Sequence, residues 1–303
     1  LEVLDFSLEL SNHSRHGRVG ANGATGLLSH RVNDGPGRVR EPLRVSGGDL
    51  LLDSRSGRGR AYAGTDTLPE LALPPLPPAT PDGVDLALGH RRLAIIDLSA
   101  GGHGPMASTD GRLAITYNGE VFNYLELRDQ LRGLGHAFRT ACDTEVLLAA
   151  YAEWGPAALH RLNGMWAFAL FDARERRLFC ARDRFGLKPV FYLGDGALFA
   201  FASEIKGLLA HPAASRTPNS TTLARFLAQG AIDETAETFL AGICSLPAGH
   251  QLSLDLATRR LAIERWYQLP AAEARPGDPA ELRALLEDAV RLRLRSDVDV
   301  GTC

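Results

Sequence analysis

MWAFALFDARERRLFCARD, residues Met165–Asp183, decides the fold. Two apolar runs flank the charged stretch ARERR, so the segment predicts a β-hairpin, and both runs are too apolar for a sheet face that meets water. Such strands need a packed layer on each side. The sequence around them supplies candidates. VFYLGDGALFAFAS (Val190–Ser203) predicts a second hairpin turning at Gly194-Asp195-Gly196, and GRLAITYN (Gly111–Asn118) predicts a strand upstream. NYLELRDQLRGLG (Asn123–Gly135) predicts a helix with Leu125, Leu131 and Leu134 on its apolar side. DTEVLLAAYAEWG (Asp143–Gly155) predicts another, with Asp143 as N-cap and Val146, Leu147, Ala150 and Tyr151 facing inward. Strands packed on strands, with helices outside, make an α+β chain folded as an α/β/β/α sandwich.

Composition narrows the function. Among 303 residues, 33 basic and 36 acidic side chains leave a formal charge of −3, which argues against a nucleic-acid partner. No run approaches 18 apolar residues, so no membrane-spanning helix is expected. The opening LEVLDFSLEL lacks a basic stretch followed by an apolar one, so no secretory signal is read and a cytoplasmic setting is expected. Cys142, Cys180, Cys244 and Cys303 are widely spaced, which supports neither a metal site nor a disulfide framework.

Residues 1–83 differ from the rest. They hold 12 of the 31 glycines and 8 of the 17 prolines but only 2 of the 21 aromatics, with no lysine and no cysteine. With so little large apolar area to bury, this Gly/Pro/Arg-rich segment is expected to be poorly ordered. Its composition is also what a shifted reading frame of GC-rich DNA would encode. Residues 84–268 are expected to form the folded domain. Residues 269–303 are expected to hold a linker and one helix starting at Asp278-Pro279, with Leu282, Leu285, Leu286, Ala289, Val290 and Leu294 in one stripe.

Several residues could carry chemistry, and each has a plain alternative. Asn118-Gly119 at a strand end is a tight turn, or a side-chain amide and a backbone N–H aimed together at a developing oxyanion. Arg92 is an edge ion pair, or a planar fork for a carboxylate. Asp143 is a helix cap, or an anion for an ammonium group. Asp183 and Arg184 read as a structural turn network, and Lys188 as a solvated loop charge.

Taken together, the motifs resemble one family. LGHRRLAIIDLS (Leu88–Ser99), ITYNGEVFNY (Ile115–Tyr124), TACDTEVLLAAY (Thr140–Tyr151) and RLNGMWAFALFD…CARDRFGLKPVFY (Arg161–Tyr192) are similar to segments of the glutamine-dependent asparagine synthetases, which are class II glutamine amidotransferases. FASEIKGLL (Phe201–Leu209), LPAGH (Leu246–His250) and DAVRLRLRSDVDVGTC (Asp288–Cys303) continue the series in order. The resemblance implies an N-terminal-nucleophile hydrolase-like sandwich for the glutaminase domain, followed by the first helix of an α/β synthetase domain that the chain does not complete. It also implies glutamine as amide donor, with Arg92 on its α-carboxylate and Leu93, Ile95 and Ile96 as walls and backbone contacts. Asn118 and Gly119 would form the oxyanion hole, and Glu120 and Asp143 would hold the α-ammonium.

Aspartate, ATP and Mg²⁺ would belong to the complete enzyme, at sites beyond Cys303, and a homodimer is one expected assembly. The family's nucleophile is a cysteine at the N-terminus, and no residue here is assigned that role. Cys142 beside Asp143 is read as a small filler. The chain is therefore expected to be inert toward glutamine and to bind it weakly or not at all. Two alternatives are a non-catalytic amidotransferase-like binding module, and a related amidotransferase acting on a different carboxylate.

Overall fold

The computed structural model describes residues 85–194, 198–232, 234–271 and 277–300, together with shorter pieces of the first 84: residues 8–10, 43–45, 48–52, 56, 59–63, 67 and 69–75. In chain order the strands are β1 (Leu8–Leu10), β2 (Leu43–Val45), β3 (Gly48–Leu52), β4 (Gly59–Tyr62), β5 (Leu86–His90), β6 (Met106–Ala107) and β7 (Leu113–Val121). Then come β8 (Gly164–Asp172), β9 (Arg177–Arg182), β10 (Phe191–Gly194), β11 (Phe199–Ala202), β12 (Cys244–Ser245), β13 (His250–Asp255) and β14 (Leu261–Arg265). The helices are α1 (Tyr124–Gly133), α2 (Asp143–Trp154), α3 (Ile205–Leu208), α4 (Ser220–Gln229) and α5 (Pro279–Arg293).

The predicted hairpin is the centre of the molecule. β8 and β9 pair antiparallel from Ala167↔Arg182 to Asp172↔Arg177, inside a six-stranded sheet of order β14-β13-β9-β8-β7-β6. Side chains alternate across it. Trp166, Phe168, Leu170, Phe179 and Ala181 pack with Leu113, Ile115 and Val121 under α1 and α2. The opposite face carries smaller residues, Ala114, Ala167, Ala169 and Cys180, with Phe171 and Leu178. Against these pack Leu50, Leu52, Leu86 and Leu88 of the β4-β3-β5 sheet, and Phe199 and Phe201 of the β11-β10-β12 sheet. Helix α3 covers the outer side of β10 and β11 through Leu208 and Ala200. The layering is that of the expected sandwich, and among the described residues no helix is long and apolar enough to cross a membrane.

Several local expectations are corrected. β3 and β4 lie inside the segment expected to be poorly ordered, yet Leu50, Leu51 and Leu52 are buried and β3 pairs with β5 from Gly48↔His90 to Leu52↔Leu86. Most other residues before 85 lie outside the described set, as do the 195–197 turn and the 272–276 part of the predicted linker. In α1 the buried leucines are Leu127 and Leu131, while Leu125 and Leu134 are 42% and 53% exposed. Leu125 sits about 200° around the helix from Leu127, and Leu134 is already the C-cap. The inward face also carries Arg128, whose guanidinium stacks on Tyr124 and Phe138 and donates to the Cys142 carbonyl (3.0 Å).

Helix α5 starts as predicted, with Asp278 accepting from the Ala280 N–H at 2.9 Å. Its stripe of Leu282, Leu285, Leu286 and Val290 is exposed, and Leu292 is its buried residue.

Candidate functional site

The cleft forms where β6 is too short to cover β7. β6 pairs only Met106↔Ile115 and Ala107↔Ala114, so among the described residues the rest of β7 has no strand partner on that edge. Along that edge the odd-numbered residues turn their backbone groups outward: Leu113 accepts from Ser108, and the Val121 N–H donates to Asp143 Oδ2 at 3.0 Å. Ladder alternation therefore aims the Gly119 N–H the same way. Gly119 has φ +147°, and a Cβ there would sit 2.1 Å from the Met165 carbonyl oxygen, so only glycine fits this bend.

All eight predicted site residues line one cleft: Arg92, Leu93, Ile95, Ile96, Asn118, Gly119, Glu120 and Asp143. His90, His103, Tyr117, Cys142 and Lys188 line it too. Arg92 enters from the loop after β5. Its Nη2 donates to the carbonyls of Ile96 (2.8 Å) and Asp97, and its Nη1 to that of Ser99 (3.2 Å). Three backbone carbonyls thus fix the guanidinium in the cleft wall. The group lies flat on Gly102, where a Cβ would come within 2.1 Å of Nη2. Ile96 is a buried wall and Leu93 an exposed one. The carbonyls expected to offer ligand contacts are already engaged, Ile96 by Arg92 and Ile95 by the Asp297 N–H (2.9 Å).

Asp143 is not the N-cap of α2. Cys142 takes that position, and Asp143 begins the helix with its carboxylate turned inward. It is 5% exposed and accepts from the Tyr117 hydroxyl (2.9 Å) as well as from Val121. Burial raises its pKa above the usual carboxylate value, against the pull of these two donors. Glu120 is raised as well, by burial and then by the charge of Asp143, with Lys188 opposing. Two carboxylates whose charged forms are disfavoured make a natural seat for a cation. Asn118 is buried on the inter-sheet side, where its Nδ2 donates to Ser203 Oγ at 3.4 Å.

The linkage for Asp143 has a definite sign. Its folded pKa lies above 3.8, so its contribution to stability is full below that value and is lost as pH rises through the folded pKa. Asp143→Asn keeps an oxygen for Tyr117 and Val121 without the buried charge. The variant should melt at or above the wild-type temperature at pH 7, and the difference should shrink toward pH 4. Thermal scans at the two pH values check this, and a clear drop at pH 7 would contradict it.

Lys188, read from the sequence as a solvated loop charge, is half-buried and lines the cleft at the end of a tethered loop. Asp183 Oδ1 accepts from the N–H groups of Phe185 (2.9 Å) and Leu187 (3.1 Å), and Oδ2 from those of Trp166 (3.2 Å) and Lys188 (3.1 Å). Arg182 donates to the carbonyls of Gly186, Lys188 and Leu246 (2.7, 2.8 and 2.7 Å). The structural reading of Asp183 holds, and its consequence is a placed cation. A signal was present: a carboxylate followed by a loop closing on Lys-Pro can collect successive N–H groups.

His90 and His103 were also missed. His90 is buried, with the Thr116 hydroxyl donating to Gly89 O (3.0 Å) and so left to accept from His90 Nδ1 (3.3 Å). Burial, then His103 and Arg92, lower its pKa to about 3, and His103 is lowered by burial and Arg92. Both imidazoles are neutral at pH 7.

The described thiols are poorly placed for attack, and Cys303 lies outside the described residues. Cys142 Sγ lies 3.3 Å from Thr144 Oγ1, and burial followed by the charge of Asp143 raises its pKa. Cys180 is fully buried in β9 and pushed up by burial. Cys244 is half-buried and pushed up in the same way. Among the described residues no group of three or more His, Cys, Asp or Glu could hold a metal ion.

The model of the glutamine amidotransferase domain matches residues 80–267. Asparagine synthetase [glutamine-hydrolyzing] 3 of Bacillus subtilis is 39% identical over 219 residues, covering 71% of this chain and 35% of that protein. The putative asparagine synthetase [glutamine-hydrolyzing] 2 of Methanocaldococcus jannaschii is 37% identical over 237 residues, covering 71% of this chain and 45% of that one. The chain thus spans less than half the length of these relatives. The glutamine phosphoribosylpyrophosphate amidotransferase of B. subtilis, solved with ADP and GMP, shares the fold at a TM-score of 0.51 and 22% identity, over 74% of this chain and 43% of that one. With the match running through every element that builds the cleft, this chain belongs to the glutamine amidotransferase domain family.

Proposed function

We propose that residues 85–267 form the glutamine-binding unit of an amidotransferase whose complete form makes asparagine, as the names of its relatives say of them, with aspartate as the acceptor. The observation that carries this reading is one cleft that brings Arg92 together with Glu120 and Asp143. A guanidinium suits an α-carboxylate, and two carboxylates suit an α-ammonium. An amino acid held by both charged ends would extend its side-chain amide along the edge of β7 beyond β6. There the Gly119 N–H and the second Asn118 Nδ2 hydrogen would stabilise the oxyanion formed when a nucleophile adds to the amide carbon. Ammonia would leave and water would release glutamate.

ATP, with Mg²⁺, would activate the acceptor carboxylate in the complete enzyme, with AMP and pyrophosphate as products. The described residues do not offer a metal-binding cluster.

A second reading concerns these 303 residues alone: they bind an amino acid without hydrolysing it. It is favoured by Cys142, among the described residues the one cysteine that lines the cleft, being buried beside a carboxylate that opposes its thiolate. The purified chain should release glutamate from glutamine no faster than a boiled control, and Cys142→Ser should leave that rate unchanged. Turnover that disappears in Cys142→Ser would overturn the second reading and make Cys142 the nucleophile.

A further inference from the structure

The segment that follows α5 grips both walls of the cleft. On one side, the Asp297 N–H donates to Ile95 O at 2.9 Å, and Asp297 Oδ2 accepts from the Asp97 N–H at 2.7 Å. These two bonds bracket Ile96, in the loop whose carbonyls at Ile96 and Asp97 hold the Arg92 guanidinium. On the other side, Arg295 Nη1 donates to Phe122 O at 2.6 Å, and the same guanidinium forks onto the Glu126 carboxylate. Phe122 directly follows β7, two residues after Glu120. The Arg295 side chain is 15% exposed, so this is an inserted contact rather than a loose surface pair.

Asp97 explains why the grip matters. It is a non-glycine residue at φ +59°, a conformation that persists only where its surroundings over-determine it. Its carboxylate is committed to the Ser99 N–H and hydroxyl and to the Ala141 N–H (2.9 Å), which ties the loop to the approach of α2. Asp297 supplies the acceptor for its own N–H. Three constraints hold the turn, and one of them comes from 200 residues away in sequence.

We propose that Asp297 and Arg295 are positioning residues for the amino-acid cleft: together they clamp the Arg92 loop to the β7–α1 junction, so that seating of residues 295–297 and occupancy of the cleft are coupled. This rests on the reading of the cleft as a glutamine site. Coupling of this kind is reciprocal, so glutamine should in turn hold the segment in place.

The test uses the full 303-residue chain with glutamine as probe, read by calorimetry and by backbone amide hydrogen exchange. Asp297→Ala should weaken glutamine binding about tenfold and speed exchange at the Asp97 amide by a similar factor. Exchange in β8 and β9 should stay as in wild type, which a general loss of structure would not allow. Asp297→Asn retains an acceptor oxygen and should return both readouts to within about twofold of wild type. In the wild type, glutamine should slow exchange at the Asp297 amide. Unchanged glutamine affinity in Asp297→Ala would overturn the coupling. If wild type binds no glutamine, the reading of the cleft falls; the Asp97 amide then decides the clamp, and its unchanged exchange in Asp297→Ala would overturn that as well.

Discussion

Asp183→Ala is expected to lower the stability of the folded domain by about 3–5 kcal/mol, the range for stripping one partner from a buried charged network. The side chain is 1% exposed, and its two oxygens accept from four backbone N–H groups, at Trp166, Phe185, Leu187 and Lys188. Alanine leaves those donors facing an apolar hole. Each unsatisfied donor costs roughly 1–3 kcal/mol, less whatever entering water recovers. For a domain of this size the melting temperature should fall by about 6–20 °C.

Asparagine is a poor rescue. One oxygen would still serve two donors, but its NH₂ would meet the other two head-on. Asp183→Asn should therefore regain less than half of the loss. Thermal melts of the three proteins measure this. A fall of under about 3 °C for alanine would mean that the loop holds together through Arg182, whose guanidinium also binds the Gly186 and Lys188 carbonyls.

What the sequence disclosed follows from where period and chemistry coincide. The β8–β9 hairpin was legible because both faces of each strand are apolar, and both faces are packed. The resemblance of the motifs names Arg92, Asn118, Gly119, Glu120 and Asp143 as a set, and all five line one cleft.

The misreadings have physical causes. Asp143 looks like a helix cap because Asp is among the residues favoured there, but its carboxylate turns inward to the Val121 N–H. Gly48–Leu52 was lost against its Gly- and Pro-rich surroundings, although three consecutive leucines can cover both faces of a strand, Leu50 and Leu52 against the central sheet and Leu51 with Tyr62. Asp297 was invisible for another reason. Its role depends on the backbone groups of Ile95 and Asp97, the latter 200 residues away, which no local spacing reveals. Apolar periodicity reports burial, whereas a carboxylate collecting N–H groups leaves almost no trace in composition.

Arg92→Ala is expected to remove measurable glutamine binding. An amino acid held in an open, polar cleft should bind in the millimolar range, about −4 kcal/mol. A hydrogen bond to a charged group contributes roughly 1.5–3 kcal/mol, so deleting the guanidinium weakens binding by about 10- to 150-fold and takes it beyond calorimetric reach. The difficulty is that Arg92 also shapes its own loop through the carbonyls of Ile96, Asp97 and Ser99. Loss of binding alone could therefore reflect a collapsed loop.

The ligand resolves this. Glutaminamide has the ammonium and the side-chain amide of glutamine but no carboxylate, and so tests the same contact from the other side. Wild type should prefer glutamine to glutaminamide by about tenfold or more. In Arg92→Lys, which keeps a charge but loses the planar fork and most of the loop contacts, that preference should shrink while some binding survives. If Arg92 grips the carboxylate, residue and ligand group are coupled, and their combined removal costs less than the two separate losses added together. An unchanged preference in the lysine variant would place the carboxylate elsewhere in the cleft, with Lys188 the first candidate to hold it, and would turn the assumed orientation of the amino acid end for end.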